Sequence, residues 1–252
     1  MNAMRYATSI ASLACLALTM APVASATTLD DLVERLASDL TPQAAATLGE
    51  ISGVDRKLLA ARSYLRAGAK LESRWSWSDD EIATYQLSQE YRAALAEIDK
   101  VIAAFEGGNP GYTLYVNREI RSLDLQLARW NENDSVGAAA AELAAAVRAR
   151  GVDPVAKDAV ATLRKLLVDW QPSTPAALAA PGLSPHGQMR AVDFQIMRDG
   201  RVVASTRTAS AAREWDAPGW TEKLRVAVTT ASKKFEGPLR APREPWHYSY
   251  AP

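Results

Sequence analysis

The chain has 252 residues, and its 29 lysines and arginines balance 29 aspartates and glutamates. Without excess positive charge, nothing favours nucleic-acid binding, which depends on neutralising phosphates. A single cysteine excludes a disulfide framework, and the length suits one large domain or two small ones.

The first segment reads as a secretory signal peptide. Met1 to Arg5 carry one positive charge, Ala7 to Met20 are apolar, and Val23-Ala24-Ser25-Ala26 has the form of a small-residue cleavage site. Cleavage after Ala26 is expected, with a periplasmic or secreted product. Cys15 lies inside this segment, and Ser12 stands where a lipoprotein signal has an aliphatic residue. No later stretch is long and apolar enough to span a bilayer. The rest of the chain therefore relies on an apolar core, alone or with a metal.

Residues 27–110 read as a helical N-terminal region. Leu29, Leu32, Val33, Leu36 and Leu40 share one face of a helix from Leu29 to Leu40, which Thr41-Pro42 ends. A second helix is expected from Asp55 to Glu72, with Leu58, Leu59, Arg62 and Leu65 in register. Ser78 and Glu81 form a capping box. One long helix should follow, with Tyr91, Leu95, Ile98, Ile102 and Phe105 inward, until Gly107-Gly108-Asn109-Pro110 stops it. These helices are expected to pack as a bundle or hairpin on the remainder.

Residues 111–252 have a different texture. Tyr112 to Val116 reads as a strand, followed by helices over Arg118–Trp130, Val136–Arg148 and Val155–Trp170. Gln171 to Gly182 contains three prolines and reads as a loop. Ala191 to Met197 alternates as a strand, with Val192, Phe194 and Ile196 on one face and Ala191, Asp193 and Gln195 on the other. Asp199-Gly200 is a hairpin turn leading to a partner strand over Arg201–Thr206. A helix from Trp220 to Phe235 and a last strand from Trp246 to Tyr250 complete an α+β arrangement with a small antiparallel sheet.

The only two histidines, His186 and His247, both stand near carboxylates. Catalytic zinc sites use three His or carboxylate ligands and keep one position open. His186, Asp193 and His247 supply such ligands, with Glu244 near enough in sequence to act as a base. His186 falls in the loop before the strand, and Asp193 falls on its polar face. Taken singly, each histidine is more often an ordinary surface or core residue than a ligand. Asn133-Asp134-Ser135 has the form of a glycosylation sequon, and the scattered tryptophans read as core.

These segments resemble the zinc D-alanyl-D-alanine peptidases of the M15 family, which share a fold with the hedgehog signalling domain. The first motif, Ser-x-His with Asp seven residues after the His, is matched by Ser184, His186, Ala191 and Asp193. The second, Glu-Pro-Trp-His followed by an aromatic, is matched by Glu244 to Tyr248. A weaker Arg-Ser-x-x-x-Gln element is matched by Arg121, Ser122 and Gln126. The resemblance covers about Tyr112 to Tyr250. It implies Zn2+ held by His186, Asp193 and His247, catalysis by Glu244 and Arg121, and substrate contacts from Ser184, Gln126 and Trp246.

The implied activity is hydrolysis of bonds involving D-amino acids in peptidoglycan stem peptides, as a carboxypeptidase or an endopeptidase. The alternatives are a non-catalytic cell-wall or partner-binding protein of the same fold, and a peptidoglycan amidase. Two departures from the pattern stand out. Glu119-Ile120 replaces a common Gly-Tyr, which keeps Arg118 as an alternative to Arg121. Met189 stands where the family usually has glycine. A carboxypeptidase also needs a cation for the terminal carboxylate, for which Arg190, Arg240 and Arg243 are candidates.

Overall fold

The computed structural model describes residues 28–252. The expected signal segment and Cys15 lie outside these residues. The chain begins with α1 (Leu29–Ala37), entered through a capping box between Thr28 and Asp31. Thr41 then acts as an N-cap with Pro42 at the first helical position, so α2 (Pro42–Glu50) starts where a stop was expected. Proline lacks only an N–H that a first-turn residue leaves unpaired in any case.

α3 (Val54–Ala67) ends at Gly68 and is followed by the short α4 (Leu71–Arg74). The Ser78 capping box opens α5 (Asp79–Gln86) as expected, but a second cap at Ser88 starts a separate α6 (Gln89–Gly108). Two consecutive serine caps thus split what the apolar spacing suggested was one helix. β1 spans Thr113–Val116. α7 (Leu123–Glu132) begins at an N-cap on Ser122, so Arg118 and Arg121 sit in a loop and not on a helix as expected. Asn133 caps α8 (Asp134–Arg150) by accepting from the N–H groups of Ser135 and Val136, which gives the sequon asparagine a structural use. α9 covers Ala159–Asp169.

The sheet is antiparallel. β2 (Ala191–Arg198) pairs with β1, with β3 (Arg201–Ala204) and with β5 (His247–Tyr250), and β5 pairs with β4 (Phe235–Glu236). At the hairpin between β2 and β3, Asp199 and Gly200 have φ of 49° and 73°. Both central residues with positive φ make the turn that matches strand twist, which is why Asp-Gly serves there. α10 (Trp220–Ala231) stops short of Phe235, which instead enters β4.

Two apolar cores result. The first joins α1, α2 and α3 to α7, α8 and α9, with Leu32, Leu36, Leu58, Leu143, Leu163 and Leu167 fully buried. The second joins α6 and α10 to the sheet, around Phe105, Phe194, Ile196, Trp215 and Leu224. The cores therefore do not divide at residue 110. The last helix before it packs on the sheet, and three helices after it belong to the helical body. Three arginines of α3 bind the helical body together. Arg56 donates to the carbonyls of Trp130 and Asn133, Arg62 to Trp170 and Arg66 to Val168. They satisfy carbonyls at the ends of α7 and α9 that helix geometry leaves open. No helix among the described residues is long and apolar enough to cross a membrane.

Candidate metal centre

The sheet brings two of the expected ligands face to face. Asp193 on β2 and His247 on β5 are directly opposed partners in the antiparallel register. Strand alternation sends Val192 and Phe194 into the core and leaves Asp193 on the other face, half-buried. On β5 the same alternation buries Tyr248 and Tyr250 and turns His247 toward Asp193. The third group, His186, sits on a 3-10 turn at Pro185–Gln188, immediately before β2.

His247 Nδ1 lies 2.9 Å from Asp193 Oδ1, and His186 Nε2 lies 3.4 Å from Asp193 Oδ2. One ligand atom from each of the three residues falls within 4.8 Å of the other two. In a tetrahedral site with arms of ~2.1 Å, neighbouring ligand atoms are ~3.4 Å apart. The His186 to Asp193 spacing equals that value, His247 is at hydrogen-bond distance from the other Asp193 oxygen, and all three groups fall within 4.8 Å, so two imidazoles and a carboxylate are gathered closely enough that they could hold a metal ion. Glu244 stands beside them, its Oε2 3.8 Å from His247 Nδ1. A tight turn, in which the His247 N–H donates to the Glu244 carbonyl at 3.1 Å, places it there.

Burial governs the protonation states of this group. It pushes His186 down from 6.5 to about 4, an effect reinforced by Arg121 and His247 and only partly opposed by Asp193. His186 is therefore neutral near pH 7 with a lone pair to offer, and its approach to Asp193 is a polar contact, not an ion pair. Burial pushes the Asp193 carboxyl upward, but the His247 hydrogen bond and the charges of His186, His247 and Arg121 outweigh it and leave it below the usual range. Glu244 is raised, by burial first and by the nearby Asp193, against the pull of His247 and Arg121.

The two candidate arginines separate clearly. Arg121 turns inward, with its guanidinium 3.7 Å from Asp193 Oδ2, and its backbone N–H donates to the His186 carbonyl at 3.2 Å. Arg118 points away and pairs with Asp99 on α6. Of the cations weighed for a terminal carboxylate, Arg243 is held by Asp216, and neither Arg190 nor Arg240 lines the cleft beside the centre. Besides His186 and Asp193, that cleft is lined by Asn117, Glu119, Arg121, Leu125 and Arg129. A larger open groove of about 750 Å³ between α8 and α9 shares no residue with the centre.

The three residues expected to contact substrate are buried instead. Trp246 is 2% exposed and packs against Trp215, with ring centroids 6.0 Å apart. Ser184 is equally enclosed, and its carbonyl accepts from the Gly187 N–H at 2.9 Å. Gln126 is buried with both ends of its amide engaged. Its nitrogen donates to Ser76 Oγ and to the Arg121 carbonyl, each at 2.9 Å, while its oxygen accepts from the Gly182 N–H at 3.0 Å. Gln126 thus holds the loop that carries Arg121 and has no donor left for a ligand.

Ser76 was not anticipated. It lies on the strap between α4 and α5, where its N–H donates to the Gly182 carbonyl at 2.7 Å and the next N–H, of Trp77, donates to the Gly187 carbonyl at 3.0 Å. A Cβ on Gly187 would stand 2.1 Å from Ser76 Oγ, so the glycine permits the strap to cross directly against the His186 turn. Gln188 completes the clasp by donating to the carbonyls of Ser73 and Trp75. No local pattern marks Ser76, because its partners lie far away in the chain.

Met189, where a glycine was the usual residue of the resembling pattern, has φ of 52° and ψ of 26°. This is left-handed backbone, which glycine adopts without strain and a side chain adopts at some cost. Here the Met189 side chain is buried in the sheet core, which offsets that cost. No family model, no curated protein and no solved structure matches the chain.

Proposed function

We propose that this chain is a zinc-dependent peptidase that hydrolyses peptide bonds involving D-amino acids in peptidoglycan stem peptides after export. The observation that carries this reading is the convergence of His186, Asp193 and His247 on one point with the Glu244 carboxylate beside it. A site that only binds metal has no need of a fourth, unliganded carboxylate whose burial raises its proton affinity. The agreement of Ser184 to Asp193 and of Glu244 to Tyr248 with the motifs of zinc D,D-peptidases supports the substrate class.

His186, Asp193 and His247 would hold the ion, which when bound supplies Lewis-acid polarisation of a carbonyl. Glu244 takes the proton of the attacking water and returns it to the leaving amine nitrogen, so water adds across the amide bond and the base is regenerated. Its raised pKa suits both halves of that exchange. Arg121 lies on the Asp193 side of the centre, where its guanidinium can offset negative charge developing on the carbonyl oxygen. Gln126 and the Arg121-to-His186 backbone bond keep that guanidinium in place.

The test is digestion of purified muropeptides, with products identified by mass and bound metal measured in parallel. Wild type is expected to carry about one zinc and to release D-alanine or a split stem peptide. Glu244→Ala should retain the zinc and lose about 10²–10⁴-fold in kcat, the usual range for a missing general base. Products cut at the sugar–peptide link would replace the peptidase reading by an amidase. Zinc bound with no cleavage would replace it by a binding protein.

A further inference from the structure

We propose that the open face of the sheet beside the metal centre binds the peptide segment that precedes the scissile bond, with Tyr115 as its principal contact. This rests on the peptidase reading and adds to it a requirement for substrate length.

Three cross-strand rows share that face. Asp193 on β2 opposes His247 on β5, Gln195 opposes Tyr115 on β1, and Met197 opposes Thr113 on β1 and Val202 on β3. The intervening Leu114, Val116, Phe194 and Ile196 point the other way, into the core shared with α6 and α10. Strand alternation therefore puts Asp193 and Tyr115 on one surface. Asn117 continues the row of Thr113 and Tyr115 just beyond β1, and it lines the metal cleft together with Asp193. The face and the cleft are thus continuous. Rows two residues apart on a strand are separated by ~6.7 Å, which sets Met197 and Val202 ~13 Å from the metal row. An extended peptide has the same repeat and covers that distance with about four residues.

The outward residues of an antiparallel sheet are usually polar. Here Tyr115 and Val202 are each 49% exposed. None of Thr113, Tyr115, Gln195, Met197 and Val202 carries a charge. Gln195 spends one N–H on a long contact of 3.4 Å to Thr206 Oγ1, which leaves its carbonyl and its second N–H for a ligand. Apolar surface interleaved with an amide suits a peptide backbone and aliphatic side chains. The cleft on the Arg121 side holds only about 40 Å³, room for one small group. The longer part of a substrate therefore lies outside it, and the sheet face is the surface that leads away from the ligands. In a peptide cut near its C-terminus, that longer part precedes the scissile bond.

The test compares N-acetyl-D-Ala-D-Ala with an N-acetylated pentapeptide of uncharged side chains that ends in the same two residues. Binding to the zinc-loaded Glu244→Gln chain is measured by calorimetry, and hydrolysis is measured with wild type. The pentapeptide is expected to bind about 10- to 50-fold tighter, the gain from burying on the order of 60–90 Å² of apolar surface. Tyr115→Thr, made in the same background, keeps a residue suited to strands. It should weaken the pentapeptide about 5- to 20-fold more than the dipeptide. Circular dichroism and zinc content check the variant. If Tyr115→Thr loses its fold, Val202→Thr carries the same comparison, with an expected selective loss of about two- to threefold.

Equal affinity for the two peptides overturns the proposal. So does a proportionate loss of both in Tyr115→Thr, or no measurable binding of either. The two readings fail separately. Hydrolysis of both peptides with equal kcat/KM removes the role of the sheet face and leaves a peptidase. Preferential, Tyr115-dependent binding of the pentapeptide, with neither peptide nor muropeptide hydrolysed, keeps the sheet face and removes the peptidase.

Discussion

The helical body and the sheet body are held together by different means. In the helical body, leucines and alanines fill the core, and the charged groups of α3 serve as caps for neighbouring helices. In the sheet body, an apolar face supports a second face on which Asp193, His247 and Glu244 are partly desolvated. Titratable chemistry is concentrated in one body and mechanical support in the other. They meet where the Ser76 strap crosses the His186 turn. The helical region therefore does more than precede the centre, because it forms part of the wall that fixes it.

The largest effect expected from this contrast is in the helical core. Leu163→Ala removes a fully buried side chain and should cost about 2–5 kcal/mol in a denaturant titration. If the bodies divide the labour as described, zinc affinity measured under native conditions stays within about threefold. A larger drop would show that the support reaches further than the strap.

The centre itself should show in the pH dependence of the metal-free protein. His186 titrates at 6.5 unfolded but at about 4 folded, so the unfolded chain takes up a proton first as pH falls. Stability is complete above 6.5 and declines through this window, by about 3 kcal/mol in total. Glu244 runs the other way, since its raised folded value favours the protonated fold as pH drops. The difference between wild type and His186→Gln in chelator isolates the histidine contribution. A difference that stays flat between about pH 7 and pH 4 would mean His186 is not held neutral in the fold.

The seam is tested by Gly187→Ala. The new Cβ meets Ser76 Oγ and Cβ at 2.1 and 2.5 Å, which should cost roughly 1–3 kcal/mol and weaken zinc binding by moving His186. Adding Ser76→Gly removes both clashing atoms and should recover part of the loss, which a double-mutant cycle measures. Strict additivity would place the strap elsewhere. At the small end, Arg118→Ala breaks only its exposed pair with Asp99 and should change stability by less than about 1 kcal/mol and leave kcat/KM unaltered. A strong kinetic defect in Arg118→Ala would reverse the assignment of the two arginines.

Much of the centre was legible before any coordinates. The spacing of His186 and Asp193, loop then strand face, is what the fold shows, and Glu244 stands beside His247 as its place three residues earlier suggested. Several other readings went astray. Trp246 and Gln126 follow a motif that marks the site, yet their side chains serve packing and loop support. Trp220 to Phe235 had unbroken helical spacing, but Phe235 finds its apolar partners by joining β5 as a strand.

The sequence by itself determined the features set by neighbours a few residues apart. These are the capping serines, the Asp199-Gly200 turn, the alternation that turns Asp193 away from the core, and the residue types able to ligate a metal. Only the tertiary structure decided which arginine faces the centre, how α6 leaves its preceding helices for the sheet, and that Ser76 locks the His186 turn. Those outcomes depend on contacts between segments some 50 to 110 residues apart, such as Ser76 with Gln126 and with Gly182. Local propensity carries no record of such contacts, which form only when two apolar cores close against each other.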